Sequence, residues 1–299
     1  MRTSTVRRVS LSVAVAAALT SVAACGGSDS DGGNRGSAAV KADPIAALRD
    51  VQKKTGGERS AKVEGTTQMG TAMSMKQSGT IDWTDGLTGT MEITYTGGSM
   101  ADVMKQNGGS GTMQARYFKD GYVVNMGDNF AKQAGGKHWI SYGYADLAKL
   151  AGASGEAMKQ QLQNTTPDQG VKSLLASGDV KKVGQEDIRG VSATHYSGTV
   201  DVAELTAKNS ALDADQLDQL KKQLSDVGIT TEKVDVWVDK NNLLVKKTER
   251  GQMKTGELNS TVYYSDYGTK VSVEKPPAGD TADFADLLKQ QQGTGSGTH

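Results

Sequence analysis

Cysteine, histidine, proline and phenylalanine are all scarce in this 299-residue chain, which has one Cys, three His, four Pro and three Phe. A single thiol excludes an internal disulfide framework and any paired-cysteine redox or zinc motif. The histidines, His138, His195 and His299, stand in different segments with no Cys or acid at ligand spacing. No metal motif is present, and the two internal histidines read as ordinary surface or sheet-face residues. There is no Gly-x-Ser-x-Gly elbow and no phosphate loop ending in Gly-Lys-Ser/Thr. Asp239-Lys240-Asn241-Asn242 lacks the glycine and distal glutamate of a calcium loop and reads as a hairpin turn. Nothing local assembles catalytic groups, so the expectation is a noncatalytic protein with no metal and no cofactor.

Excess charge of one sign is missing as well, with 34 basic and 34 acidic residues. No basic stripe is available for nucleic acid and no polybasic patch for a membrane surface. Long hydrophobic runs are also absent. The apolar stretch from Leu11 to Leu19 is too short to span a bilayer as a permanent helix. It follows Arg2, Arg7 and Arg8, and it leads to Val22-Ala23-Ala24-Cys25 and then Gly26-Gly27-Ser28. This three-part layout marks an export segment, and it resembles a bacterial lipoprotein signal with its lipobox. The resemblance implies that Cys25 receives diacylglycerol and becomes the first residue of the mature chain. An ordinary secretory signal with an incidental cysteine is the alternative, but a lone thiol fits an acyl attachment point better. Arg7-Arg8 matches a twin-arginine signal poorly through Val9-Ser10-Leu11, which leaves the export route open. The expected location is the extracytoplasmic face of the cell membrane, held by a diacylglycerol-cysteine whose two chains suffice for stable attachment. Without residues 1–24 the chain has 275 residues, 31 basic and 34 acidic, net −3.

Residues 25–42, rich in Gly, Ser and Asp, read as a flexible tether, 43–292 as a single domain, and 293–299 as a disordered tail. Asp43-Pro44 caps a helix that Gly56-Gly57 ends. From Ser60 the hydrophobic period becomes two, with strands to Trp83, a turn at Asp85-Gly86, a strand over 87–95, and a hairpin over 113–126 around Asp120-Gly121. A Gly/Met-rich break separates these over 97–111. Short helices are expected at 144–150, 154–162 and 168–176, and an amphipathic one at 213–224 with a stripe of Leu212, Leu217, Leu220 and Leu224. Strands resume at 180–183 and 191–200, then at 231–239, 243–252 and 257–267. A short edge strand at Val271–Val273 and a final helix at 284–288 complete the reading. Two antiparallel meanders thus flank a helical insert without βαβ crossovers. The expected fold class is α+β, a large twisted antiparallel sheet with helices covering one face.

Methionine is abundant where β propensity favours Val and Ile. Met69, Met73, Met75, Met91, Met100, Met104, Met113 and Met126 gather in the first meander and its break. Methionine adapts to irregular space, so a broad cavity for acyl chains would use such residues, while packing of the covering helices is the plainer reading. Trp83, Tyr95, Trp139 and Phe130 rim or line the same volume in either case. Strand parity selects Met69, Met73, Met75, Ile81, Trp83, Met91, Ile93, Tyr95, Met113, Met126, Val236 and Val238 as cavity candidates.

Several segments carry a family likeness. Thr194-His195-Tyr196-Ser197-Gly198-Thr199-Val200-Asp201, then a helix, then Val236-Trp237-Val238-Asp239 and Leu243-Leu244 resemble the actinobacterial LppX/LprG-type lipoproteins. Ala61 to Gly65, Ala115-Arg116-Tyr117 with Asp120-Gly121, and Lys137-His138-Trp139-Ile140 match comparable strand and turn segments. The likeness runs over residues 44–275 and marks scaffold, not a reaction centre. It implies a LolA/LolB-like fold, an incomplete antiparallel barrel whose concave side is closed by helices. It also implies a noncatalytic carrier that holds an acylated lipid or glycolipid between sheet and helices, with an envelope transporter or acceptor protein as partner. Each methylene taken out of water would contribute about 0.8 kcal/mol to retention. The rival reading is an envelope protein-binding or structural lipoprotein without a lipid ligand, with a filled core and an exposed apolar patch.

Overall fold

The computed structural model describes residues 43–106, 109–151, 166–205, 213–226 and 228–294. Cys25, residues 1–42, the expected helix at 154–162, Leu212 and the last five residues lie outside that set. Asp43 caps helix α1 (Pro44–Gly57), its carboxylate accepting from the Ile45 amide at 3.0 Å, and Pro44 sits at the first helical position. The alternating run that follows forms β1 (Ser60–Met69), β2 (Met73–Asp82) and β3 (Thr88–Gly97). Helix α2 (Gly98–Gln106) occupies the expected break. Then come β4 (Thr112–Phe118), β5 (Gly121–Asn125), α3 (Gly127–Gln133), β6 (Trp139–Gly143), α4 (Tyr144–Ala151) and α5 (Asp168–Ala176). The second meander consists of β7 (Lys181–Ile188) and β8 (Val191–Asp201), then, after α6 (Ala214–Asp226), of β9 (Thr231–Val238), β10 (Leu244–Met253) and β11 (Gly256–Ser265). The described chain closes with β12 (Thr281–Asp283) and α7 (Phe284–Thr294).

All twelve strands join one sheet in the order β12-β6-β5-β4-β3-β2-β1-β11-β10-β9-β8-β7. The first strand of one meander pairs with the last strand of the other, Val63 opposite Tyr264, so each meander forms one half and the sheet stays open at β12 and β7. This is the expected α+β sheet with helices, with four corrections. The break over 97–111 contains a helix. Trp139–Gly143 is a strand, and α3 precedes it. No strand forms at Val271–Val273. The edge is β12 instead, and it pairs with β6 in parallel, Ala282 opposite Ile140, the only parallel pair among the named strands. The final helix also runs on to Thr294, past the expected end at 288.

Directly paired residues of antiparallel strands point to the same side, so the registers fix two faces. One face carries Val63, Ile81, Met91, Tyr196, Val234, Val236, Val262 and Tyr264, and α1, α5 and α6 cover it. Leu48 and Val51 of α1, Val171, Leu174 and Leu175 of α5, and Leu217 and Leu224 of α6 complete that core. Gly198 lets α5 come this close: a Cβ there would lie 2.8 Å from Leu174 Cδ1 and 2.6 Å from Ser177 Oγ. The other, open face is mostly Thr, Ser and charge. It holds a small cluster of Ile188, Ala193 and Trp237, with Val245 and Tyr263 against it.

Candidate functional site

The covered face is not uniform. Its packed core lies over β1 and β8 to β11 and reaches Ile81 (5 % exposed), Met91 (7 %), Val236 (0 %) and Val238 (3 %). These four candidates are core residues. Farther along the same face, from the end of β1 across β2 to β4, Met69, Met73, Met75, Ile93, Tyr95 and Met113 are only half-buried. Register brings them together, with Met69 opposite Met73, Met75 opposite Tyr95, and Ile93 opposite Met113. Alternating strands built this surface from period-two sequence, and its side chains are flexible thioethers where a packed core would favour β-branched residues. Trp83 packs at the edge of the core against Tyr267, ring centroids 6.4 Å apart, and its Nε1 is buried without an acceptor among the described residues. Met126 is set apart. The strand has ended at Asn125, and Met126 stands ahead of α3 with its amide bonded to the His138 carbonyl.

A group of tyrosines closes this wall. Tyr117, Tyr122 and Tyr142 follow the same parity across β4, β5 and β6. Tyr122 stacks on Tyr142 at 4.8 Å, Tyr142 meets Phe284 at 4.8 Å, and Tyr144 lies 6.3 Å from Tyr122. Burial first, then neighbouring Tyr144 and Tyr95, pushes the Tyr117 phenol up to about 12, and Tyr122, Tyr142 and Tyr144 are raised by burial as well. Burial thus keeps these phenols neutral. The Tyr144 hydroxyl is buried with no partner among the described residues, in a residue only 4 % exposed. An unbonded buried hydroxyl is unfavourable unless something else supplies its partner.

Three charged clusters escaped the sequence reading because their members are far apart in the chain. Under α5, Lys247 donates to Glu249 at 2.7 Å on the covered face, its stem running past Gly170, where a Cβ would be 2.1 Å from Lys247 Cδ. Burial, then Glu249, pushes the nearby Glu232 carboxyl up to about 8. On the open face, His195 lies between Glu186 Oε1 at 2.8 Å and Asp235 Oδ1 at 3.0 Å and stacks on Trp237 at 4.2 Å. Trp237 Nε1 donates to Glu186, and Lys246 sits over the indole at 3.9 Å. Burial raises the Asp235 carboxyl, but hydrogen bonds from Ser197 and His195 hold it below its ordinary value. At the β6 edge, Asp280 accepts from the His138 amide at 2.8 Å and contacts its ring at 2.6 Å, which raises the His138 imidazole. The expectation of ordinary sheet-face histidines misses these networks. Their only sequence signal is the even spacing that puts His195, Trp237 and Asp235 on one face. Among the described residues no group of three or more His, Cys, Asp or Glu side chains is arranged to hold a metal ion.

Two concavities lie away from the methionines. One of about 390 Å³, at the tyrosine end, is bounded by Phe118, Tyr122, Tyr142, Lys275 and Pro276. The other, about 340 Å³ and more polar, lies among Glu64, Lys76, Arg189 and Tyr263 on the open face. Neither is lined by the half-buried methionines, which present an open wall. No described helix is long and apolar enough to cross a membrane.

No protein-family model matches the chain. An uncharacterized 31.2 kDa protein from the rplA–rplJ intergenic region of Streptomyces griseus is 68 % identical over 258 residues, covering 86 % of this chain and 85 % of its own. A protein of Streptomyces coelicolor named "Putative lipoprotein SCO4650" is 46 % identical over 310 residues, covering 97 % of this chain and 99 % of its own. Among solved structures, LprF from Mycobacterium bovis covers 79 % of this chain and 97 % of its own at 16 % identity and a TM-score of 0.47. LppX from Mycobacterium tuberculosis covers 77 % and 98 %, also at 16 % identity, with a TM-score of 0.48. At that distance the two structures say nothing about a ligand.

Proposed function

The chain belongs to the family of Streptomyces proteins that these two relatives represent, and on that premise we propose that it is a lipid-anchored envelope protein that binds an acylated lipid or glycolipid without chemistry. The anchor is Cys25, supported by the lipobox-like Val22-Ala23-Ala24-Cys25 and by the name of the coelicolor relative. The observation that carries the lipid reading is the contrast within one sheet face. Half of it is sealed under α1, α5 and α6, while Met69, Met73, Met75, Ile93, Tyr95 and Met113 remain half-buried beside that seal. Flexible apolar side chains accept acyl chains of varied shape, and an acyl chain that covers them leaves water at about 0.8 kcal/mol per methylene. The tyrosines at the end of the wall supply hydroxyls for the polar part of the ligand, and Tyr144 has no partner among the described residues. Delivery to an acceptor in the envelope completes the role.

A fluorescent-lipid uptake assay tests this reading. Met75→Asn with Met113→Asn is expected to lower lipid affinity by roughly tenfold or more, because two apolar contacts to the ligand are lost. The thermal midpoint should change little, since neither residue belongs to the packed core. Equal affinity of the variant and the parent would contradict the reading.

A further inference from the structure

Helix α2 stands at the methionine-rich end of the sheet, tied to the β1–β2 turn. Ser99 N donates to Thr71 O at 3.1 Å, Met100 N to Ala72 O at 3.1 Å, and the Ser99 hydroxyl to Ala72 O at 3.2 Å. Gly98, at φ +83°, allows the close approach, since a Cβ there would fall 2.7 Å from the Ala72 backbone. The helix is therefore fixed, and its orientation is set. Ala101 is fully buried and Met104 half-buried, while Met100 and Val103 are 46 % and 51 % exposed. At 100° per residue, Val103, Met100 and Met104 form one continuous apolar arc, with Asp102, Lys105 and Gln106 opposite. The buried side of the helix uses only the Met104 edge of that arc. Met100 and Val103 are two of the four large hydrophobic side chains exposed among the described residues, the others being Val183 and Val191.

We propose that α2 docks on the lipid bilayer and places the methionine wall against it for loading and release. This rests on the carrier reading. The occupant follows from three observations. Two side chains fall far short of the roughly 800 Å² per partner that a stable protein interface buries, so neither a second copy nor a protein partner is indicated. The arc is continuous with the Met69–Met73 end of the wall, where an acyl chain would enter or leave. Finally, 17 residues separate Cys25 from Asp43. An acylated Cys25 keeps the bilayer at high local concentration, so a weak and reversible contact suffices.

The test uses the full chain, exported and acylated by its host and reconstituted in vesicles of phosphatidylglycerol and phosphatidylethanolamine. An environment-sensitive label is placed on Met100→Cys, and on Val183→Cys as the control. The label at Met100 is expected to shift to the blue and to be quenched by brominated acyl chains, while the label at Val183 does neither. Equal quenching at both positions, or at neither, overturns the proposal. A second variant, Met100→Ser with Val103→Ser, is expected to slow transfer of bound lipid to acceptor vesicles by roughly tenfold, with lipid per protein unchanged. An unchanged transfer rate likewise overturns the proposal. A chain that carries no lipid while its Met100 label inserts would sink the carrier reading and leave the docking surface standing.

Discussion

Glu232 is a buried carboxyl that burial and Glu249 keep protonated in spite of the nearby Lys247 ammonium. It is 4 % exposed on the covered face, and its carboxyl is pushed up to about 8 by burial and by Glu249. The folded chain therefore holds a proton that the unfolded chain releases near pH 4. Stability from this group is full below that pH and is lost as pH rises towards 8. Glu232→Gln is expected to match the parent at pH 5 and to exceed it at pH 9 by on the order of 2–4 kcal/mol in urea unfolding. Parallel profiles for the two proteins would show that Glu232 ionises freely. His138 has the opposite chemistry and the same sign. Its imidazole is raised by Asp280, so the tie between β6 and the segment before β12 is strongest below pH 6.5 and weakens as pH climbs. Asp280→Asn should lower the His138 titration, followed by NMR, with Asp128 alone left to raise it. A titration that did not move would assign the shift to something other than Asp280.

Among the elements, α5 is the one on which the covered half depends most. Leu174 and Leu175 are 0 % and 1 % exposed, and Gly198 holds the gap into which Leu174 fits. Leu174→Ala is expected to destabilise by about 2–5 kcal/mol, and Gly198→Ala by about 1–3 kcal/mol as the helix is pushed outward. Thermal unfolding checks both, and a Gly198→Ala protein as stable as its parent would mean α5 does not lie where the structure puts it. The long strands were legible because Val63, Ile81, Met91 and Val236 keep strict alternation. The methionine wall was legible for the same reason, since parity alone places Met69, Met73, Met75 and Met113 on one face. Met126 left the wall because the strand ends one residue earlier, at Asn125. Helix α2 was hidden by flanking glycines that read as a break. Strands β6 and β12 were hidden because five and three residues carry too little period, and their pairing depends on β5 and on each other. The His195, Lys247 and Tyr144 clusters were out of reach, because each needs the register between distant strands.

At the scale of the whole molecule, the sheet divides its labour. Over β1 and β8 to β11 the covered face is sealed by helices, while over β2 to β6 half-buried methionines and tyrosines stand beside the core residues Ile81 and Met91. A structural module would have sealed both. If the half-buried wall holds an acylated lipid, native mass spectrometry with organic extraction of the chain purified from its own host will show it. The expected result is a stoichiometric added mass that extracts as a defined acylated lipid and falls in the Met75→Asn, Met113→Asn variant. A clean unliganded mass, with no gain on incubation with host envelope lipids, would contradict it.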